Sequence, residues 1–246
     1  MFTRSPRGGS APALTPEVIA NFKSEMKKYN QQNCYIHTPY YINFASTKED
    51  IREASIRIIR EELERGSLIG AKYIMTHLGS AGELQLEEAL KITARGIKSA
   101  LKSYKGSTVL LLEISAGAGK VLGVTFEDLD YLLKNTSDRV GICLDSAHMF
   151  ASGYDIKTEK GIADVLKKIK STVGLDKIKL LHSNDSKIDL GGKRDRHDHI
   201  GDGKIGKEGF VNLMKALPGV DFILETEHDK VKEDIKSLKN IRKNLA

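Results

Sequence analysis

The stretch Lys179-Leu-Leu-His-Ser-Asn-Asp-Ser-Lys187 decides how this chain folds. A short apolar run ends in His182, and the charged loop beyond it carries Asp195, His197 and His199 close together. Packing gives no reason for an apolar strand to end in imidazole and carboxylate groups, whereas these groups are common ligands of divalent metals. The stretch therefore predicts a buried strand whose end contributes to a metal site.

Other apolar runs of the chain end in the same way. The polar residues at six predicted strand ends are His37, His77, Glu113, Asp145, His182 and Glu225. They recur at intervals of roughly 32 to 43 residues, and one amphipathic helix fits in each interval, which predicts βα units and a parallel sheet. The C-terminal ends of parallel strands surround one cavity in a barrel, but they lie along a line in an open sheet. The predicted fold is an α/β TIM-type barrel, with residues 1–246 as a single domain.

Local signals predict some boundaries. Thr15 and Pro16 are typical of a helix N-cap and first turn. Thr47 and Asp50 suggest a capping box for the next helix, and Gly66 suggests its end. The segment before His37 has room for one further strand–helix unit, and the strand of that unit is very short. We therefore expect about seven of the eight βα units of a closed barrel, with the N-terminal first unit missing.

Composition excludes several classes of protein. Hydrophobic residues make up 40% of the chain, charged residues 29%, and the mean hydropathy is -0.32, as in soluble globular proteins. The sequence shows neither a membrane span nor a signal peptide, so we expect a cytoplasmic protein. Cys34 and Cys143 are expected to be buried and reduced. The net charge of +6 suits a polyanionic partner.

The candidate metal ligands form a larger set than one ion needs. A single histidine at a strand end is usually structural, but this set recurs at one period, and His148, Asp195 and His197 extend it. One zinc takes about four ligands, so nine candidates with bridging carboxylates indicate two or three ions. A donor set of histidines and carboxylates without thiolates favours zinc, with manganese or iron as alternatives.

Seven segments together resemble the endonuclease IV family of abasic-site nucleases, and the resemblance spans essentially the whole chain. The segments are Tyr35–Asn43, Thr76–Ser80, Leu112–Gly119, Gly141–Asp155, Leu181–Lys187, Asp195–Gly201 and Leu224–Thr226.

The resemblance implies a site of three zinc ions. The first would be held by His37, His77 and Glu113; the second by Glu113 as a bridge with Asp145, His182 and Glu225; the third by His148, Asp195 and His197. Glu113 and Glu225 would be catalytic, the first where the attacking water is activated and the second in orienting it. Asn184, Asp185 and Lys187 could support ligands or contact phosphate, although ordinary loop hydrogen bonds explain them equally well.

The implied activity is that of a zinc-dependent apurinic/apyrimidinic endonuclease of the deoxyribonuclease IV type, acting in base excision repair. It would cut double-stranded DNA 5′ to abasic sites and trim blocked 3′ ends, as a monomer. Arg7, Tyr40 and Tyr41 would contact DNA, the arginine in the minor groove and the tyrosines as wedges beside the extruded nucleotide. The chain has no Trp, whereas family members often have one soon after this arginine.

Two other functions stay open at this point. Sugar isomerases and epimerases of the xylose-isomerase-like barrels share the architecture, but generally use one or two ions and fewer histidines. A catalytically impaired protein that only binds abasic DNA is the second alternative, because the first unit is missing.

Overall fold

The computed structural model describes residues 1–245. The helices are α1 (Pro16–Lys28), α2 (Glu49–Ile69), α3 (Leu86–Leu101), α4 (Phe126–Lys134), α5 (Ser146–Ser152), α6 (Glu159–Ser171), α7 (Gly206–Ala216) and α8 (Val231–Leu245). The strands are β1 (Tyr35–His37), β2 (Tyr73–Thr76), β3 (Val109–Glu113), β4 (Val140–Asp145), β5 (Ile178–His182), β6 (Asp185–Ser186), β7 (His197–Asp198) and β8 (Asp221–Ile223). Within this range, no helix has both the length and the apolar composition of a membrane span.

The chain forms two compact units. The first contains residues 1–112 and 131–141, and the second contains residues 113–130 and the described chain from residue 142 onward. The boundaries between the units fall inside β3 and β4. The single domain expected from the sequence stays a prediction.

The sheet of the first unit is parallel, with β2 between β1 and β3. Tyr35 pairs with Tyr73, and Tyr73 pairs in turn with Val109. The intervening helices α2 and α3 make the crossovers that parallel neighbours require. Fully buried side chains such as Ile36 and Ile74 stand on these strands, because strands covered by helices exclude water from both faces.

The sheet of the second unit is also parallel, with β5 between β4 and β8. Asp145 pairs with His182, and His182 pairs with Ile223. All six residues of β4 are buried. Strands β4 and β5 end at Asp145 and His182, as predicted from the sequence, so the parallel register sets two predicted strand-end ligands side by side.

The start of α1 is confirmed, but the capping box predicted for α2 and the predicted end of that helix are wrong. The Thr15 hydroxyl accepts a hydrogen bond from Val18 N, as expected of an N-cap. Helix α2 has Lys48 as its N-cap, without a side-chain hydrogen bond. It continues through Gly66 to end before Gly70, which has a φ of 82°. Gly66 serves packing instead, since a Cβ there would lie 2.8 Å from the Thr108 hydroxyl.

Candidate metal centre

Four of the predicted ligands lie together in the second unit at the ends of its strands. Glu113, Asp145, His182 and Glu225 each offer one donor atom, and these atoms lie within 4.8 Å of one another. Nδ1 of His182 is 3.0 Å from Oε1 of Glu113 and 3.0 Å from Oε2 of Glu225. Two ligands of one tetrahedral zinc ion, at bond lengths near 2.0–2.2 Å, lie roughly 3.3 Å apart. The donor atoms therefore have the spacing that a divalent ion needs.

A second group in the same unit contains Asp145, His148 and His197, again with donor atoms within 4.8 Å. The chain turns directly from β4 into α5, so Asp145 ends the strand and His148 lies in the helix. The Asp145 carboxylate caps this helix by accepting a hydrogen bond from His148 N at 2.7 Å. The family assignment gave Asp145 to one ion, whereas the structure places it in both groups.

Hydrogen bonds fix the ring of His148. Its Nδ1 lies 2.9 Å from the Ile114 carbonyl oxygen, to which it must donate. A neutral imidazole that donates from Nδ1 keeps its lone pair on Nε2. That Nε2 atom lies 3.2 Å from Oδ2 of Asp195, whose side chain is 49% exposed. The ring of His148 therefore points Nε2, its metal-binding atom, towards Asp195.

A short antiparallel pairing between β6 and β7 places His197. Ser186 pairs with His197, and Asp185 pairs with Asp198. Nε2 of His197 lies 3.1 Å from Oδ1 of Asp195, so one carboxylate stands between the rings of His197 and His148. The three side chains are close enough to bind one ion, and the grouping of Asp195 with both histidines stays a prediction.

Asn184 links two of the carboxylates. Its side-chain amide donates to Oδ2 of Asp145 at 2.6 Å and to Oε2 of Glu225 at 3.3 Å. Its side-chain oxygen accepts from Glu225 N at 2.9 Å. The sequence gave Asn184 two equally good interpretations, and these contacts favour the supporting one, because the buried amide fixes how two ligand carboxylates are oriented.

The other two histidine ligands predicted by the sequence lie together in the first unit. The rings of His37 and His77 have centroids 5.2 Å apart, and the Tyr40 ring packs on both. Nδ1 of His37 lies 2.6 Å from the Thr38 carbonyl oxygen, which again leaves Nε2 as the ligand atom. Glu113, their predicted partner, belongs to the second unit, so the shared ion stays a prediction.

The electrostatics of the second unit favour a cation. Burial opposes the charged form of His148, but the carboxylates of Asp145 and Asp195 raise its pKa to about 10. The pKa of Asp195 is lowered well below its usual range: burial alone would raise it, but the neighbouring imidazoles of His148 and His197 outweigh that effect. Burial also opposes charge on His182, yet Cys143, Glu225 and Glu113 raise its pKa well above 6.5. Positive charge is therefore favoured among these carboxylates.

The predicted DNA contacts lie on neighbouring loops of the first unit. Arg7 is exposed, and its neighbour Pro6 accepts a hydrogen bond from Tyr40 N at 3.3 Å. Tyr40 is 56% exposed and Tyr41 is 39% exposed. Tyr40 covers the histidine pair, so the two tyrosines, which sequence reasoning treated alike, have different surroundings.

His199, which lies close in sequence to two predicted ligands, has the role of a structural residue. Its Nδ1 lies 2.7 Å from Oδ2 of Asp234 in helix α8. The other oxygen of Asp234 accepts a hydrogen bond from Ile200 N at 2.8 Å. These contacts join the end of the loop that carries His197 to α8, which the sequence did not indicate, because the partners are far apart in the chain.

Comparison with known proteins agrees with this geometry. A sequence model of the family described as xylose isomerase-like TIM barrel matches residues 1–244. "Probable endonuclease 4" of Carboxydothermus hydrogenoformans is 34% identical over 248 residues, covering 100% of this chain and 87% of that protein. The protein of the same name from Nitrosopumilus maritimus is 38% identical over 249 residues, covering 99% of this chain and 88% of its own length.

Solved structures give the same result. Endonuclease IV from Thermus thermophilus superposes with a TM-score of 0.86 and 31% identity, covering 99% of this chain and 87% of that one. A D-tagatose 3-epimerase-like protein, with a TM-score of 0.72, 24% identity and coverage of 97% and 88%, shares the fold alone. The barrel prediction is confirmed. The chain thus belongs to the xylose isomerase-like TIM barrel family and, within it, to the endonuclease IV family.

Proposed function

We propose that this chain is a metal-dependent DNA repair endonuclease that hydrolyses the phosphodiester bond 5′ to abasic sites in double-stranded DNA. Its products would be a 3′-hydroxyl and a 5′-deoxyribose phosphate, and it would also trim blocked 3′ ends. The observation that carries the proposal is the pair of ligand groups in the second unit that share Asp145. Two adjoining groups of imidazoles and carboxylates suit a cluster of ions, which is typical of phosphodiester hydrolysis.

The proposed cofactor is three zinc ions. Glu113, Asp145, His182 and Glu225 would hold one of them, while His148, Asp195 and His197 would hold another. His37 and His77 would hold the remaining ion, with Glu113 as the bridge between two sites. When bound, such ions activate water and stabilise the charge that develops on the attacking and leaving oxygens.

Several residues of the chain would have separate roles around the reacting phosphate. The Glu225 carboxylate would orient the attacking water. The Asn184 side chain would hold Glu225 in place, because it donates to the carboxylate and accepts from the backbone N–H of Glu225. Glu113 is fully buried, so its charge needs cations close by, which suits a bridging role. The buried rings of His148 and His182 would keep a fixed orientation and lose little freedom when they bind an ion.

The DNA contacts would come from Arg7, Tyr40 and Tyr41. Exposed aromatic side chains can replace a base that has been turned out of the duplex, and an arginine can enter the minor groove. The net charge of +6 supports binding to a polyanion. We expect the protein to be a monomer and to be located in the cytoplasm.

The decisive experiment is incision of a duplex that contains one abasic-site analogue, with zinc-loaded protein. We expect cleavage on the 5′ side, complete loss of cleavage in EDTA and recovery when zinc is restored. Glu225→Gln should lower kcat by about 10²-fold or more. Glu227→Gln is the matched control, because the same change is made two residues away on an exposed side chain. A zinc-loaded protein that leaves the abasic duplex intact contradicts the proposal.

Zinc analysis of the same preparation gives a second test. We expect close to three ions per chain. One or two ions, together with an intact abasic duplex, would favour a sugar isomerase or epimerase instead. Tight binding to abasic DNA without incision would identify a DNA-binding protein that has lost catalysis.

A further inference from the structure

Asp185 is a buried carboxylate in the second unit and is not one of the proposed metal ligands. Its relative exposure is 0%. Oδ1 accepts hydrogen bonds from Ser186 N at 2.8 Å and Ile205 N at 2.9 Å. Oδ2 accepts from Gly201 N at 2.9 Å and Gly206 N at 3.1 Å. One side chain thus binds four backbone amides, three of which lie beyond β7 in the chain.

Only a carboxylate can accept hydrogen bonds from all four of these backbone amides. An ionised aspartate accepts hydrogen bonds on both oxygens and donates none, so it can face N–H groups on every side. An asparagine would turn an NH₂ group towards at least one of these amides. The backbone also closes tightly around the carboxylate, because a Cβ on Gly203 would lie 2.5 Å from Oδ1. The loop is therefore folded around this particular side chain.

The loop that Asp185 holds carries two of the proposed ligands, Asp195 and His197. His197 and Asp198 pair with β6, which contains Asp185 itself. The amide of Gly201 is then bound to the Asp185 carboxylate on the far side of β7. The chain around His197 is consequently fixed twice, by backbone pairing with β6 and, just beyond β7, by the buried carboxylate of Asp185. Asp195, which is half exposed, depends on this strand for its place beside His148.

We propose that Asp185 is a positioning residue that sets the loop of Asp195 and His197 for the ion they share with His148. The inference rests on the proposed metal cluster, and it adds a specific prediction about it. Loss of the Asp185 carboxylate should weaken one ion selectively, because the group of Glu113, His182 and Glu225 has other supports.

The test compares Asp185→Asn with Asp189→Asn. Asp189 stands on the same loop, but its contact is an exposed ion pair with Lys204 at 3.5 Å, so the control makes the same chemical change without the buried amides. Hydrogen exchange of the metal-free proteins should show faster exchange over residues 197–206 in Asp185→Asn alone. Zinc titration should show one ion bound about 10- to 100-fold more weakly, with the other two unchanged.

A second variant covers the case in which Asp185→Asn fails to fold. Gly203→Ala keeps every charge but pushes against Oδ1 of Asp185, and it should produce the same selective weakening. Wild-type exchange and zinc affinity in either folded variant would overturn the inference, as would equal weakening of all three ions. If the wild-type protein binds fewer than three ions, the proposed cluster fails, while hydrogen exchange in the metal-free protein still tests whether Asp185 orders the loop.

Discussion

Asp145 caps the helix that carries His148, through a hydrogen bond of 2.7 Å from the histidine backbone N–H to its Oδ1. Its Oδ2 accepts from Asn184 at 2.6 Å and lies 3.8 Å from Nε2 of His197. One side chain therefore ends a strand, begins a helix and belongs to both ligand groups of the second unit. Local folding and the metal site are coupled at this residue.

The first prediction separates these roles with two substitutions. Asparagine caps helices as well as aspartate does, so Asp145→Asn should keep the helix start while removing the negative charge. In EDTA its Tm should stay within a few degrees of wild type, but its zinc content should fall. Asp145→Ala should lose the cap as well, at a cost of about 1 kcal/mol in the free energy of unfolding.

Calorimetry in EDTA and zinc analysis measure the two effects. His148→Ala provides a control, since it removes a ligand and leaves the capping carboxylate. An Asp145→Asn protein that retains its full zinc content would show that Asp145 is not a ligand.

The second prediction concerns His182 and His197, which lie in different ligand groups. His182→Ala should remove the ion held with Glu113, whereas His197→Ala should remove the ion held with His148. Each variant should lose about one zinc, and the double variant should lose about two. Substituting cobalt for zinc would distinguish the ions by their visible spectra. The same ion lost in both single variants would contradict the assignment.

The third prediction concerns stability away from the metal site. In the first unit, Nε of Arg4 lies 2.7 Å from Oε1 of Glu62, and the two side chains are 4% and 0% exposed. Thr3 also donates to Glu62. Arg4→Ala would leave the buried Glu62 carboxylate with Arg65, whose Nε lies 3.8 Å from Oε1. The variant loses the charged hydrogen bonds of Arg4, so it should cost about 1.5–3 kcal/mol of unfolding free energy.

Lys28→Ala is the control for this prediction, because Lys28 forms an exposed pair with Glu25, and such pairs contribute about 0–1 kcal/mol. Urea unfolding of both variants in EDTA gives the comparison. A loss below about 1 kcal/mol in Arg4→Ala would show that the chain near residue 4 contributes little to folding.

The strand ends were predictable because a buried strand that ends in a charged residue departs from ordinary patterning. Strands β4 and β5 end at the predicted residues, Asp145 and His182, for this reason. The end of α2 was missed because Gly66 serves a contact with Thr108, 42 residues away in sequence, and no local signal reports a contact of that kind. Asp185 was singled out without a definite role, since its four amide partners come together only when the loop has folded.

The last prediction distinguishes the two tyrosines expected to contact DNA. Tyr41 is 39% exposed, and Tyr41→Ala should weaken binding to abasic duplex about 10-fold while zinc content stays unchanged, because stacking on a base contributes about 1–3 kcal/mol. Tyr40 packs on the rings of His37 and His77, so Tyr40→Ala should lower both DNA affinity and zinc content. Fluorescence anisotropy with labelled duplex and zinc analysis give the two readouts. Tyr29→Ala, at an exposed position next to α1, should change neither, and equal zinc loss in Tyr40→Ala and Tyr41→Ala would refute the distinction.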